Sequence, residues 1–236
     1  MSTLTLQDYV IAGYPAIHYK TSEEWRALDE CYNIAKRTRS VFKCWSETKG
    51  FHNPNEKGVA NNLAPDAVLE EGLKLSKDDA PVILCLLDFH PYMKNPRVIR
   101  KARDVFVEAK SKNITYIFVS AEFDIPCELK HEIFVFDMEL PTLNEYKKCI
   151  KDVIEFNEFR NITEEEIEKA SNALTGLTFD EAEKAISISL SSDGKIDLEI
   201  LYGIKKQIIN EDNLLEYYKA EETLEKVKVL LKKYLR

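Results

Sequence analysis

A chain of 236 residues with 44% hydrophobic side chains has room for one domain of ordinary size plus a smaller one. A formal net charge of −8 argues against a dedicated nucleic-acid or anionic-membrane surface, because both need clustered Lys and Arg. The longest apolar run, Pro81 to Leu87, is far too short to span a bilayer, and no basic-then-apolar leader opens the chain, so the sequence predicts a soluble cytoplasmic protein with no membrane contact.

Apolar alternation predicts a strand over Ala16–Tyr19 and a helix from about Ser22 to Thr38, with Trp25, Leu28, Cys31, Tyr32 and Ala35 at helical spacing. A second strand, Ser40–Ser46, leads into a polar loop, Glu47–Asn62, and then a helix over Pro65–Leu75. The run Val82–Leu87 is apolar on both faces, as a central parallel strand must be when helices cover both sides, and it ends at Asp88. A helix over Pro96–Lys112, a strand over Ile114–Val119, a short helix near Pro126–His131 and a strand over Glu132–Asp137 follow. This alternation predicts a doubly wound α/β domain over residues 1–141. Beyond Leu140-Pro141 the pattern is helical only, with capping boxes at Thr142, Thr163 and Thr178, a turn at Asp193-Gly194, and helices over about Leu198–Asn210 and Asn213–Tyr234. The expected division is thus 1–141, 142–218 and a C-terminal helix over 219–236.

One apolar strand ending in Asp88 and another ending in Ser120 suggest a nucleotide-hydrolase layout. In it an Asp at the strand end reaches magnesium and a polar neighbour positions water or the terminal phosphate. The plainer reading, that Asp88 caps a turn and Ser120 closes a strand, stays open beside it. Phosphate binding also needs a Gly-rich loop after the first strand, so that backbone amides converge on the anion. The junction instead reads Tyr19-Lys20-Thr21-Ser22-Glu23-Glu24, with no glycine. Thr21 and Glu24 are expected to form a capping box, and Glu23 and Glu24 to put two carboxylates in the first helical turn. Lys20 and Thr21 remain as a literal Lys-Thr pair and, with Asp88, are the candidate cofactor-binding residues.

Several ordered matches resemble the N-terminal, non-catalytic domain of the AAA ATPases found as chloroplast open reading frames and in bacteria. They include Tyr14-Pro15-Ala16-Ile17-His18-Tyr19, Thr21-x-Glu23-Glu24-x-Arg26, Trp45-Ser46-x-x-x-Gly50-Phe51 and Leu87-Asp88-Phe89-His90-Pro91-Tyr92. Further along come Asn95-Pro96, Ile125-Pro126-x-Glu128-Leu129, Gly176-Leu177-Thr178-x-Asp180-Glu181-Ala182 and Lys205-Lys206-Gln207-Ile208-Ile209. The resemblance implies a degenerate RecA/AAA-like doubly wound, mostly parallel sheet followed by a small all-α, lid-like domain. In family members the segment after Tyr218 leads through glycines into a catalytic module that carries the phosphate loop. Here those glycines are missing, so the chain reads either as a stand-alone remnant or as a piece of a longer ATPase.

Arg97, Arg100, Lys101 and Arg103 lie on one predicted helix as a candidate interaction surface toward a neighbouring subunit, or simply as a solvated face. The five cysteines and four histidines lack metal-ligand spacing, so no metal site is expected. His90 is of interest only for its place beyond a strand end, and Trp25 and Trp45 are expected in the core. Val227, Leu230, Leu231 and Tyr234 share a helical face with lysines opposite, suited to docking on this protein or on a partner. The leading expectation is a non-catalytic AAA-like scaffold or regulator that binds an intact AAA+ ATPase or its own copies, with no cofactor. The alternatives are an ATPase using ATP and magnesium through Asp88 and Ser120, and a nucleic-acid-binding accessory protein, which the acidic balance disfavours.

Overall fold

A computed structural model describes residues 4–53, 56, 63–76, 80–158, 162–190 and 195–211. The chain divides into two units, Met1–Glu139 and Leu140–Arg236. The first holds helix α1 (Leu6–Ile11), strand β1 (Ala16–Lys20), helix α2 (Glu24–Thr38), strands β2 (Val41–Ser46) and β3 (Gly50–His52), helix α3 (Pro65–Leu73), strand β4 (Val82–Leu87), helix α4 (Pro96–Ser111) and strands β5 (Ile114–Ser120) and β6 (Ile133–Asp137). The sheet order is β3-β2-β4-β5-β1-β6, parallel throughout except for the antiparallel β2–β3 pair.

Side-chain alternation along these strands explains why helices cover both faces. On one face Leu84, Leu86, Tyr116 and Phe118 pack with Val68 and Leu69 of α3 and with Ala102, Val105 and Phe106 of α4. On the other, Ile17, Tyr19, Ile83, Cys85, Ile117 and Val119 meet Ala27, Cys31, Ile34 and Ala35 of α2 and Leu6 of α1. Cys44, Cys85 and Ile17 fall in one register row through Ile117, all fully buried. The doubly wound α/β architecture is therefore present, and β4 and β5 form its apolar centre.

Several local expectations change. The buried stripe of α2 runs through Ala27, Cys31, Ile34 and Ala35, which puts Trp25 on the other side of the helix, 51% exposed; Trp45 is in the core as expected. Helix α1 was not expected; it is short, starts with the Asp8 carboxylate accepting from the Thr5 amide at 2.7 Å, and stacks Tyr9 on Phe134 at 4.3 Å. Within the expected loop Glu47–Asn62, three residues form β3, because Gly50 adopts a positive φ of 60° that turns the chain back on β2. The short helix near Pro126–His131 is a single 3-10 turn at Cys127–Leu129.

The second unit holds α5 (Leu143–Phe156), α6 (Glu164–Leu174), α7 (Phe179–Ser189) and α8 (Leu198–Glu211). The boxes at Thr142, Thr163 and Thr178 form; in the first, the Thr142 amide donates to Glu145 Oε2 at 2.7 Å and the Glu145 amide to Thr142 Oγ1 at 3.3 Å. Ile150, Leu174, Ala182, Ile186 and Leu201 fill a separate core, and the buried Tyr146 hydroxyl donates to the Leu177 carbonyl at 2.6 Å. Lys205 closes the end of α6 by donating to the carbonyls of Ala173 and Thr175 at 2.9 and 2.6 Å. The expected turn at Asp193-Gly194, the helix Asn213–Tyr234 and the C-terminal helix 219–236 lie outside the described residues.

Gly72 on α3 sits against the sheet so closely that an added Cβ would lie 2.5 Å from Tyr116 Oη and 2.8 Å from Leu84 Cδ2. The Tyr116 hydroxyl also donates to the Leu69 carbonyl at 2.7 Å, so it is not free to yield. Gly72→Ala is expected to lower stability by about 1–3 kcal/mol in urea unfolding, despite the better helix propensity of alanine.

Candidate functional site

In open α/β sheets ligands bind beyond the carboxyl ends of the strands, where the chain connections reverse direction. Here that edge gathers Lys20 of β1, Asp88 after β4, Ser120 of β5 and Asp137 of β6, with the β1–α2 junction running across it.

Two amides of the junction are bonded within the protein. The Thr21 amide donates to the Ser120 carbonyl at 3.1 Å, and the Glu23 amide donates to Thr21 Oγ1 at 3.0 Å. Helix α2 starts at Glu24 with Glu23 as its N-cap, so the expected Thr21–Glu24 capping box is not formed; the Thr21 hydroxyl closes a two-residue turn instead. Only Glu24 of the two glutamates lies in the first turn. Glu23 is 3% exposed and pairs with Arg26 at 2.5 Å. The Glu24 carboxyl is pushed above its usual value by desolvation and then by the charge of Asp88, with Lys49 opposing. Negative charge therefore accumulates where the helix dipole attracts an anion.

Lys20 reaches Asp137 at 3.9 Å, both side chains being largely solvated, a weak pair. Asp88 is held at a φ of +48°, its amide donating to the Val119 carbonyl at 3.1 Å and its side chain 67% exposed. His90 Nδ1 stands 3.9 Å from Asp88 Oδ1 and has no hydrogen-bond partner among the described residues. Ser120 is buried, and its hydroxyl donates to the Glu122 carbonyl at 3.0 Å.

Beneath this edge lies an arrangement the sequence reading did not assemble. His18, 2% exposed, donates from Nε2 to the Ser120 carbonyl at 3.1 Å, with Ser120 Oγ at 3.3 Å and the Phe123 ring edge-on at 5.3 Å. The pairing spans 102 residues, so only the β1–β5 adjacency reveals it. The Glu23–Arg26 pair had a usable signal, the i,i+3 spacing of opposite charges on a helix start.

The expected interaction arginines are on α4, each beside a carboxylate. Arg97 Nε is 2.8 Å from Asp66, Arg100 pairs with Asp104, and Arg103 Nε is 3.6 Å from Glu132; Lys101 adds Glu70 at 3.3 Å. Among the described residues no group of three metal-ligating side chains occurs, and no helix is long and apolar enough to cross a membrane.

The fold and this edge define a nucleoside-triphosphatase-like α/β unit followed by a helical one. Residues 2–138 match the SpoVK-like AAA ATPase N-terminal domain and residues 144–212 the SpoVK-like AAA ATPase second domain, and the chain belongs to that family. It is 27% identical over 219 residues to the uncharacterized AAA domain-containing protein ycf46 of Trieres chinensis, covering 90% of this chain and 43% of that protein. The ycf46 protein of Pyropia yezoensis is 29% identical over 214 residues, covering 87% and 42%. The chain thus spans less than half the length of these relatives. Among solved structures, a chain of the E. coli MS115-1 HORMA:CdnC:Trip13 complex superposes with a TM-score of 0.50 at 8% identity, covering 89% of this chain and 78% of that one. Domain III of the Thermotoga maritima replication initiation protein DnaA gives 0.46 at 14%, covering 88% and 95%.

Two measurements follow from this geometry. Burial lowers the His18 pKa below its ordinary 6.5, so the unfolded chain binds a proton there that the folded chain does not. Stability is then expected to fall as pH drops below 6.5, by no more than about 1.4 kcal/mol per pH unit, and His18→Gln should flatten that part of the profile in urea titrations at pH 7.5 and 5.5. Arg26→Met strands the buried Glu23 carboxylate and should cost about 2–4 kcal/mol; adding Glu23→Gln should recover part of it, read by the same unfolding.

Proposed function

We propose that this chain is a non-catalytic AAA-like scaffold or regulator that works through protein–protein contacts and does not hydrolyse ATP. The carrying observation is the β1–α2 junction. Its Thr21 and Glu23 amides are bonded within the protein, Glu24 points negative charge into the first turn, and Glu23–Arg26 locks the helix start. A triphosphate needs those amides free and that charge absent, so the residues present do not fit ATP with magnesium. Lys20 beside Asp137 supplies one solvated cation, which cannot replace a cradle of converging amides.

The same reasoning weighs against an enzyme built on Asp88 and Ser120. A sensing hydroxyl must donate toward phosphate, and the Ser120 proton is directed at the Glu122 carbonyl. Asp88 supports a simpler role: a carboxylate residue in the left-handed region, where Asp and Asn are tolerated, turning the chain from β4 into the 3-10 turn His90–Lys94. The partner in this reading is an intact AAA+ ATPase or further copies of the chain. The α4 arginines contribute a charged face to it, each having first to leave Asp66, Asp104 or Glu132.

Calorimetric titration with magnesium–ATP is expected to show no binding in the micromolar range and no phosphate release. Asp88→Asn should leave that result unchanged and be neutral or slightly stabilising, because it relieves repulsion with Glu24 and keeps a residue suited to positive φ. Micromolar affinity with turnover abolished by Asp88→Asn would overturn the proposal.

A further inference from the structure

The helical unit carries a groove between α5 and α7 that the junction chemistry does not involve. Its volume is about 340 Å³, its floor is Cys149, Val153 and Phe179, and its rim carries Asp152 and Glu183. At its end stands Phe156, 88% exposed, more than any other large apolar side chain among the described residues. Asp152 and Glu183 make no ion pair with described residues. Burial, with the charges of Glu183 and Asp152 added, pushes the Cys149 thiol up to about 12. The groove is thus apolar inside and negative at the rim, and an apolar surface of this kind is costly to leave in water.

The chain itself holds a segment of matching chemistry. Over residues 226–236 it carries Lys226, Lys228, Lys232, Lys233 and Arg236 and no Asp or Glu, while Val227, Leu230, Leu231 and Tyr234 recur at the spacing of one helical face. It is attached to the same unit: α8 packs on α6 and α7 and ends at Glu211. The fourteen residues 212–225 span roughly 20 Å as the helix the sequence predicts and roughly 45 Å at full extension, distances comparable with the size of this unit. We propose that residues 226–236 dock intramolecularly in the α5–α7 groove, apolar face against Val153 and Phe156 and lysines against Asp152 and Glu183. Tethering favours this occupant over a second copy or another protein, because covalent attachment to the same unit sets an effective concentration on the order of millimolar. The inference does not depend on whether the chain binds nucleotide.

The 236-residue chain serves as its own test, with no variant needed for the first measurement. Carbodiimide coupling at low salt, on an equal mixture of nitrogen-15-labelled and unlabelled protein, should join Lys226, Lys228, Lys232 or Lys233 to Asp152 or Glu183 within single chains. Mixed-label products would assign the groove to a second copy, and absence of these links would leave the segment elsewhere; either result overturns the proposal. In the second measurement, Leu230→Asp with Tyr234→Asp should raise hydrogen exchange of α5 and α7 by about tenfold and leave β4 and β5 unchanged. Phe156→Glu should likewise raise exchange over residues 226–236. Unchanged exchange in α5 and α7 of the first variant would also overturn it.

Discussion

The amides that follow β1 are bonded within the protein: Thr21 N–H to the Ser120 carbonyl, Glu23 N–H to the Thr21 hydroxyl. The first bond extends the β1–β5 ladder by one residue, and the second turns the chain into α2 without a glycine, next to the Glu23–Arg26 pair. A phosphate-binding turn of the same topology has to leave such donors pointing outward, at a cost in local stability that the anion offsets. Here that cost is removed by local bonding, and Glu24 and Asp88 add charge of the wrong sign. His18, donating to the carbonyl that also accepts from Thr21, completes the same network from below.

Much of the architecture was legible in the sequence. Val82–Leu87 and Ile114–Ser120 are apolar on both faces, and only a strand covered by helices on both sides allows that. The three Thr-x-x-Glu starts were equally readable because both partners lie within one turn. Less legible were elements whose stability comes from elsewhere in the chain: α1 is six residues long and depends on Tyr9 against Phe134, and β3 exists because β2 offers it an edge. Trp25 lies off the core because the small residues Ala27, Cys31 and Ala35 face the sheet, and the apolar spacing through Trp25 gives no sign of that preference. At the candidate site, the missing glycines were visible at once, but the Ser120 hydroxyl bond to Glu122 and the His18 contact were not, since both need the folded backbone.

Membership of the SpoVK-like AAA ATPase family and the matches to ycf46 proteins fix what kind of fold this is. In a nucleotide hydrolase the strand ends of such a sheet and a helical unit jointly surround the triphosphate. In this chain the first unit has closed its junction with its own side chains, and the helical unit has a groove whose rim is acidic. Both features underlie the proposals made above for this chain.

Strand β3 carries a further consequence. A sheet ending in a long parallel strand exposes a row of amides and carbonyls on which another chain can grow. Here β3 pairs antiparallel with Cys44–Ser46, the carboxyl half of β2, with the His52 ring turned back onto the Gly50 carbonyl at 2.8 Å. A stub that short supplies few bonding groups on which another strand could grow, which makes this end of the sheet edge a poor template.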